Sequence, residues 1–354
     1  MSQKFRRIGV LTSGGDAPGM NAAVRAVARA AIQKGVEVVA IYEGYKGLIT
    51  ENLKVIGNRD VSNIINVGGT ALYSDRCLEF KTEEGMQKAI ATCKKYEIDG
   101  IVAIGGDGTF RGATDLSWRG IPTIGIPATI DNDITSTDYA LGFDTAMNTV
   151  LGLGDKLRDT CESHARCNVI EVMGRNAGYI ALQTGIALGA SAIVLRECDF
   201  DEAAALEKIK ASKAEGKRNF IVIVAEGVPD YAEGFAKKIQ AETGIETKFC
   251  RPAHIVRGGS PTLRDRLIAS QYAEKAVELL LDGKSDVVVC MRDGKIVETD
   301  ISYALILDRM YKGTLKDGDL DKFTPEQVEA MKAFCAMRDA EFKEMYALSD
   351  LISH

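Results

Sequence analysis

Residues 7–34 read RIGVLTSGGDAPGMNAAVRAVARAAIQK. The apolar run from Arg7 to Thr12 has the length and composition of a buried strand, and Gly14, Gly15, Pro18 and Gly19 break it into a turn. From Asn21 to Lys34 the period changes. Ala22, Ala23, Val24, Val27, Ala30, Ala31 and Ile32 share one helical stripe, with Arg25, Arg29, Gln33 and Lys34 mostly off it. A second apolar run, Val36 to Tyr42, follows at once. Strand, glycine turn, helix and strand make a βαβ unit, which commits the chain to an α/β fold with a parallel sheet covered on both faces.

The same pattern recurs along the chain. Strands are expected at Gly100 to Ile104, Ile121 to Ile126, Asn168 to Val172, Ala192 to Leu195, Phe220 to Ala225 and Asp286 to Met291. Helices are expected at Glu84 to Tyr96, Asp144 to Arg158, Asp201 to Glu215, Ser270 to Asp282 and Ser302 to Met310. A chain of 354 residues suits two domains. Thr324-Pro325-Glu326-Gln327 is a helix start, with threonine as cap, proline at the first position and glutamine three after the cap. Val328, Met331, Cys335, Phe342 and Met345 then share an apolar face.

Net charge −6 and a pI near 5.4 argue against a sequence-independent nucleic-acid binder. Any anionic ligand must be met by local arginines. Eight cysteines without a C-x-x-C pair, and three histidines, argue against a zinc site or disulfide framework and fit reduced thiols in a cytosol. No run approaches the length of a membrane span, and the N-terminal MSQKFRRIGVLTSGG has too short an apolar stretch for a signal peptide.

The chemistry gathers at strand ends. Thr12-Ser13-Gly14-Gly15-Asp16 and Gly105-Gly106-Asp107-Gly108-Thr109 both place Gly-Gly-Asp after a strand and ahead of a helix, where backbone N–H groups favour phosphate. Neither is a Walker loop or G-x-G-x-x-G. A ligand-free tight turn is the competing reading for each. Asp107 is the better Mg²⁺ carboxylate of the two turns. A third turn, Asn66-Val67-Gly68-Gly69-Thr70, leads to Arg76, which suits either a nucleotide phosphate or a surface ion pair. After the strand ending at Ile126 comes Pro127-Ala128-Thr129-Ile130-Asp131-Asn132-Asp133. One carboxylate there could take a hydroxyl proton and the other hold a metal, or the run could be an ordinary loop.

These stretches, with SHAR at 163–166, EVMGRNAGY at 171–179 and HIVRGGSPTLRDR at 254–266, stand in the order and spacing of the bacterial 6-phosphofructokinases, which the chain resembles from residue 6 to about 313. The resemblance implies two Rossmann-like three-layer αβα domains with mainly parallel sheets and the active site in the cleft between them. The larger, ATP-binding domain would be 1–142 plus 257–303. The smaller, for fructose 6-phosphate, would be 143–256 plus 304–354 with a C-terminal helical extension. It further implies Asp131 as the base for the 1-hydroxyl of fructose 6-phosphate, with Thr129 and Arg175 stabilising the transferring phosphoryl group. Gly15, Arg76, Cys77, Gly106, Asp107, Gly108 and Thr109 would line the ATP site, together with Tyr45 or Tyr42, of which Tyr45 is preferred. Asp107 and Asp133 would serve Mg²⁺.

For the sugar phosphate the family pattern points to Met173, Gly174, Arg175, Glu226, His254 and Arg257 from one subunit of a homotetramer. Arg166 and a second cation would come from the neighbour. That second position, an arginine in the family, is Lys248 here. It keeps the charge and loses the fork, and Arg251 lies close enough in sequence to substitute. Gly108 favours ATP over pyrophosphate as donor. Ala128, neither the glycine nor the lysine of the two donor classes, adds a methyl group that could crowd the donor side. Arg25, Arg29, Arg59, Arg158, Glu197 and Lys217 match a separate site for ADP and phosphoenolpyruvate. Glu215 would oppose a phosphate there, and Asn219 stands near a frequent histidine. A pyrophosphate-dependent enzyme, another sugar-phosphate kinase and a non-catalytic sensing subunit are the alternatives. A cytoplasmic protein with no nucleic-acid or membrane partner is expected.

Overall fold

The computed structural model describes residues 5–353; residues 1–4 and 354 of the expected domain bounds lie outside them. The first stretch of the chain forms β1 (Arg7–Ser13), α1 (Met20–Gln33), β2 (Glu37–Ile41), α2 (Tyr45–Thr50), β3 (Leu53–Ile56), α3 (Glu83–Lys95), β4 (Gly100–Gly105), α4 (Asp107–Trp118) and β5 (Thr123–Pro127). There follow α5 (Phe143–His164), β6 (Cys167–Val172), α6 (Tyr179–Ala187), β7 (Ala192–Val194), α7 (Glu202–Ala214), β8 (Phe220–Ala225), α8 (Ala232–Thr243) and β9 (Thr247–Cys250). The last elements are α9 (Leu263–Leu281), β10 (Val287–Arg292), β11 (Lys295–Asp300), α10 (Ile301–Tyr311) and α11 (Pro325–Ile352).

The chain divides into two compact units. The first holds the residues up to Ile130, Ile134–Thr145 and Arg257–Cys335; the second holds Asp131–Asp133, Ala146–Val256 and the residues from Ala336 onward. The expected boundary at 303 is therefore not where the packing changes. Residues 304–335 group with the first unit because α10 lies on α4 and β11, burying Ala304 against that unit's core.

In the first unit a seven-stranded sheet runs β11-β10-β5-β4-β1-β2-β3, parallel except at its two ends, where β3 and β11 return antiparallel. The strands' pleat sends Leu11, Val39, Ile41, Ile101 and Ala103 into a core shared with α2, α3 and α4. Their neighbours Val10, Val38, Val102 and Ile104 are also fully buried, and α1 and α9 pack together on the sheet. This is the three-layer arrangement expected. The chain leaves β1 toward β2 on one side and returns to β4 on the other, so the β1/β4 crevice is a topological switch point. In the second unit a parallel four-stranded sheet runs β7-β8-β6-β9, with α7 and α8 closing one core around Val169, Phe220, Val222 and Phe235.

Local signals explain several boundaries. Thr262 caps α9 by accepting from the Asp265 amide, so that helix starts earlier than the expected Ser270. At α11 the reciprocal cap is formed: the Thr324 amide donates to Gln327 Oε1 at 2.9 Å, and the Gln327 amide to Thr324 Oγ1 at 3.3 Å. Met331 and Phe342 are buried as expected, but Met345 is exposed, and Tyr346 instead turns inward and donates to the Ile193 carbonyl.

Candidate active site

The three glycine turns meet in the first unit. Ser13 and Gly105 are register partners at the ends of β1 and β4, and Thr109 Oγ1 donates to the Ser13 carbonyl at 3.0 Å. Thr12 and Thr70 hydroxyls lie 2.6 Å apart, and Ser74 donates to the Gly14 carbonyl. Asn21 ties the third turn down, donating to the Val67 and Gly68 carbonyls and accepting from the Ala71 amide. Asp107 opens α4 and pairs with Arg111 one turn on. Gly106 and Gly108 have open space beside their α-carbons. At Gly15 a Cβ would stand 2.7 Å from Arg257 Nη1, so the glycine is what lets that guanidinium lie over the turn and donate to the Asp16 carbonyl. Arg76 is exposed beside them and Cys77 is half-buried.

Tyr45 does not line this crevice. Its ring is 5% exposed and stacked on Phe80, and its hydroxyl donates to the Thr109 carbonyl at 2.5 Å. It braces the Gly105–Thr109 turn from inside the core, and burial, then Asp115, pushes its phenol far above the ordinary range. Ala128 is likewise buried, its amide held by the Gly105 carbonyl, so its methyl does not face the donor side as a free obstruction.

Past β5 the chain turns at Asn132, whose φ of 50° is left-handed, a conformation asparagine tolerates better than most side chains. The turn leaves Asp131 only 1% exposed and Asp133 partly exposed. Arg175 Nε stands 3.4 Å from Asp131 Oδ2 within the second unit. Arg175 itself sits in a turn with Gly174 at φ 148° and Arg175 at φ 53°. Glu226 holds that turn, accepting from the amides of Gly174 at 3.1 Å and Arg175 at 2.7 Å. Beside them opens a cavity of about 450 Å³ whose walls include Arg175, Glu226, Glu171 and Arg251. Arg251 grips Glu171 with two nitrogens, at 2.6 and 2.9 Å. Met173 is half-buried at the edge of the turn and His254 is exposed.

Arg166 and Lys248 stand together at a different place. Both pair with Glu246, at 2.7 and 2.9 Å, and Arg166 first and Lys248 second hold that carboxyl at about 2. An acidic side chain thus occupies the space between two cations where a phosphate could sit. Glu246 gave no motif signal, though its position two before Lys248, just ahead of β9, could have suggested it. A second missed residue is Asp265, fully buried and accepting from Tyr139, Thr145 and the Gly142 amide. Its position three after the Thr262 cap was the available clue.

The effector candidates fall into two cationic groups. On α1, burial and then Arg29 lower the Arg25 pKa, and Arg25 Nε is buried without a hydrogen-bond partner. In the second unit, burial and then Lys208 and Arg158 lower the Lys217 pKa, and Arg158 Nε also lacks a partner. Like charges held this close favour an anion. Arg59 is exposed. Glu197 turns toward the fold, its Oε1 accepting from the Gly178 amide at 2.7 Å. Glu215 ends α7 in solvent, and Asn219 donates to Glu162.

Residues 7–280 match the model of the family described as Phosphofructokinase. A Clostridium botulinum protein named ATP-dependent 6-phosphofructokinase is 51% identical over 313 residues, covering 88% of this chain and 98% of the relative. One of the same name from Halalkalibacterium halodurans is 52% identical over 301 residues, covering 85% and 94%. Phosphofructokinase from Saccharomyces cerevisiae superposes with a TM-score of 0.83 at 31% identity, covering 93% of this chain and 50% of that longer one. The fold is also that of a pyrophosphate-dependent phosphofructokinase from Marinobacter aquaeolei, with a TM-score of 0.74 at 23% identity over 84% of this chain and 83% of that one. With glycine turns, acidic loop and arginine turn matched on the same chain, this protein belongs to the phosphofructokinase family.

Proposed function

We propose that the chain transfers the γ-phosphoryl group of Mg-ATP to the 1-hydroxyl of fructose 6-phosphate, giving fructose 1,6-bisphosphate and ADP. The observation that carries the reading is Asp131, a carboxylate 1% exposed with a guanidinium 3.4 Å away. Asp131 takes the hydroxyl proton as the oxygen attacks phosphorus, and the bond to the bridging oxygen breaks to release ADP. Thr129 and Arg175 stabilise charge on the equatorial oxygens, and preorganised donors of this kind supply most of the catalysis. The donor set suits magnesium. Among the described residues no cluster of three or more metal-ligating side chains occurs, and an ion that arrives on nucleotide phosphates needs only one or two carboxylates. Asp107 and Asp133 would hold it, and it would neutralise phosphate charge.

ATP is favoured as donor by the open space at Gly106 and Gly108. Gly15, Arg76, Cys77 and Thr109 complete the nucleotide side. Met173, Gly174, Glu226, His254 and Arg257 orient the sugar phosphate, whose phosphate meets Arg166 and Lys248 of a neighbouring subunit in a homotetramer. Arg251, whose two nitrogens hold Glu171, would have to release that carboxylate to take the forked role that Lys248 lacks. ADP or phosphoenolpyruvate would be held by the cations around Arg25 and Lys217, as allosteric effectors of a cytoplasmic enzyme. No helix of the described residues is long and apolar enough to cross a membrane. A coupled assay with ATP and with pyrophosphate, across several hexose phosphates, tests the reading. Turnover with pyrophosphate alone would refute the donor assignment.

A further inference from the structure

The turn that carries Arg175 is held at both ends. At its start Glu226 accepts from the Gly174 and Arg175 amides. Inside it the Ala177 amide donates to the Gly174 carbonyl at 2.9 Å. At its end, where α6 begins, the Gly178 amide donates to Glu197 Oε1. Arg175, a side chain held at φ 53°, costs free energy there and persists only when its surroundings over-determine it.

Those surroundings include the C-terminal helix. A Cβ on Gly178 would meet Glu197 Oε2 at 2.8 Å, Leu195 Cδ2 at 3.1 Å and Phe342 Cζ at 3.3 Å, so three side chains close over this one backbone position. Phe342 is 5% exposed and meets the Tyr179 ring edge-on, with centroids 5.1 Å apart. Arg338, one turn earlier on α11, lies over the other reach of Tyr179 at 5.9 Å. Tyr346, one turn later, donates to the Ile193 carbonyl, and Lys208 of α7 reaches the helix end at the Asp350 carbonyl and the Ser353 hydroxyl. All of α11 lies beyond residues 7–280, the span of the family match.

We infer that Phe342 is a positioning residue for phosphoryl transfer: it clamps Gly178 and Tyr179, and through them fixes the turn that aims Arg175 at Asp131. The inference rests on the proposed role of Arg175. Its physical basis is that an ångström-scale displacement of a catalytic group, caused far from the chemistry, is costly in rate.

The experiment compares wild type, Phe342→Ala, Phe342→Leu and Met331→Ala. Met331, also buried, is packed on α10 with Ile306 and Leu307 in the first unit. Two readouts are needed, steady-state kinetics with fructose 6-phosphate and ATP, and amide hydrogen exchange at residues 174–178. Phe342→Ala is expected to lower kcat about tenfold with the KM for ATP within about twofold, and to speed exchange at 174–178. Phe342→Leu should recover most of both. Met331→Ala should lower Tm and leave kcat within about twofold. Unchanged kcat and exchange in Phe342→Ala, or an equal kcat loss in Met331→Ala, overturns the inference. A wild type inactive on fructose 6-phosphate would instead refute the proposed reaction, while the exchange data would still decide whether Phe342 holds the turn.

Discussion

The candidate sites of the two units are built from different materials. In the first, the candidate nucleotide crevice is made of backbone, with three glycine turns at neighbouring strand ends and hydroxyls stitching them together. In the second, the candidate sugar-phosphate residues are charged side chains at two places, Asp131, Arg175, Glu226 and Arg251 at one and the Arg166–Glu246–Lys248 trio at the other. A backbone-built site tolerates side-chain truncation and is damaged by addition. A site built from charges behaves the other way round.

Asp131→Asn in the charged site should show the largest effect, a fall in kcat of about 10³-fold with little change in either KM. A smaller loss would mean that proton removal is not the task of this carboxylate. On the backbone side the damaging change is an addition. Gly108→Asp, which places a carboxylate at the mouth of α4, should raise the KM for ATP by about a hundredfold and barely touch that for fructose 6-phosphate. Equal effects on both would erase the distinction between the two sites. Removing a fork comes next: Arg251→Ala should raise the KM for fructose 6-phosphate about tenfold and Lys248→Ala about threefold. No effect from either would remove this segment from substrate binding.

The smallest change expected is in the other direction. Glu246→Gln frees Arg166 and Lys248, and the KM for fructose 6-phosphate should fall about twofold. The same carboxyl fixes a pH expectation. Its folded pKa, about 2, lies below the ordinary 4.5, so the stabilisation it gives is fully present above about 4.5 and is lost only as pH falls toward 2. Between pH 5 and 9 Glu246 should therefore contribute no titration to the profile of kcat/KM for the sugar phosphate. A Glu246-dependent inflection in that window would show that the pairing is not as described.

Much of this contrast could be read from residue order alone, and the exceptions are instructive. All eight expected strands are present, because buried parallel strands are unbroken apolar runs. The ones missed, β3, β9 and β11, are short or edge strands carrying Lys54, Lys248, Lys295 and Glu298, where the apolar signal is diluted by charge that faces solvent. The glycine turns were legible because glycine next to a strand end has few other uses. Tyr45 was placed on the wrong side of its turn because depth below a surface is a tertiary property, and an aromatic after a glycine looks the same from either side. The Thr324 cap of α11 was visible four residues deep. The join of residues 304–335 to the first unit was not, since no local pattern says which sheet an exposed-looking helix will cover. The Glu246–Arg166 pair and the contacts of Phe342 with Gly178 and Tyr179 were invisible for a related reason: each joins residues far apart in sequence.

Glu246 also bears on how the protein meets its ionic surroundings. Two cations that share a covalently attached counterion have no need to recruit one from solution. A phosphate arriving there would exchange with an anion belonging to the chain, with fewer small ions released in the process. Under the proposed role of Arg166 and Lys248, capture of the sugar phosphate would therefore depend less steeply on added salt than capture by two cations without a shared carboxylate.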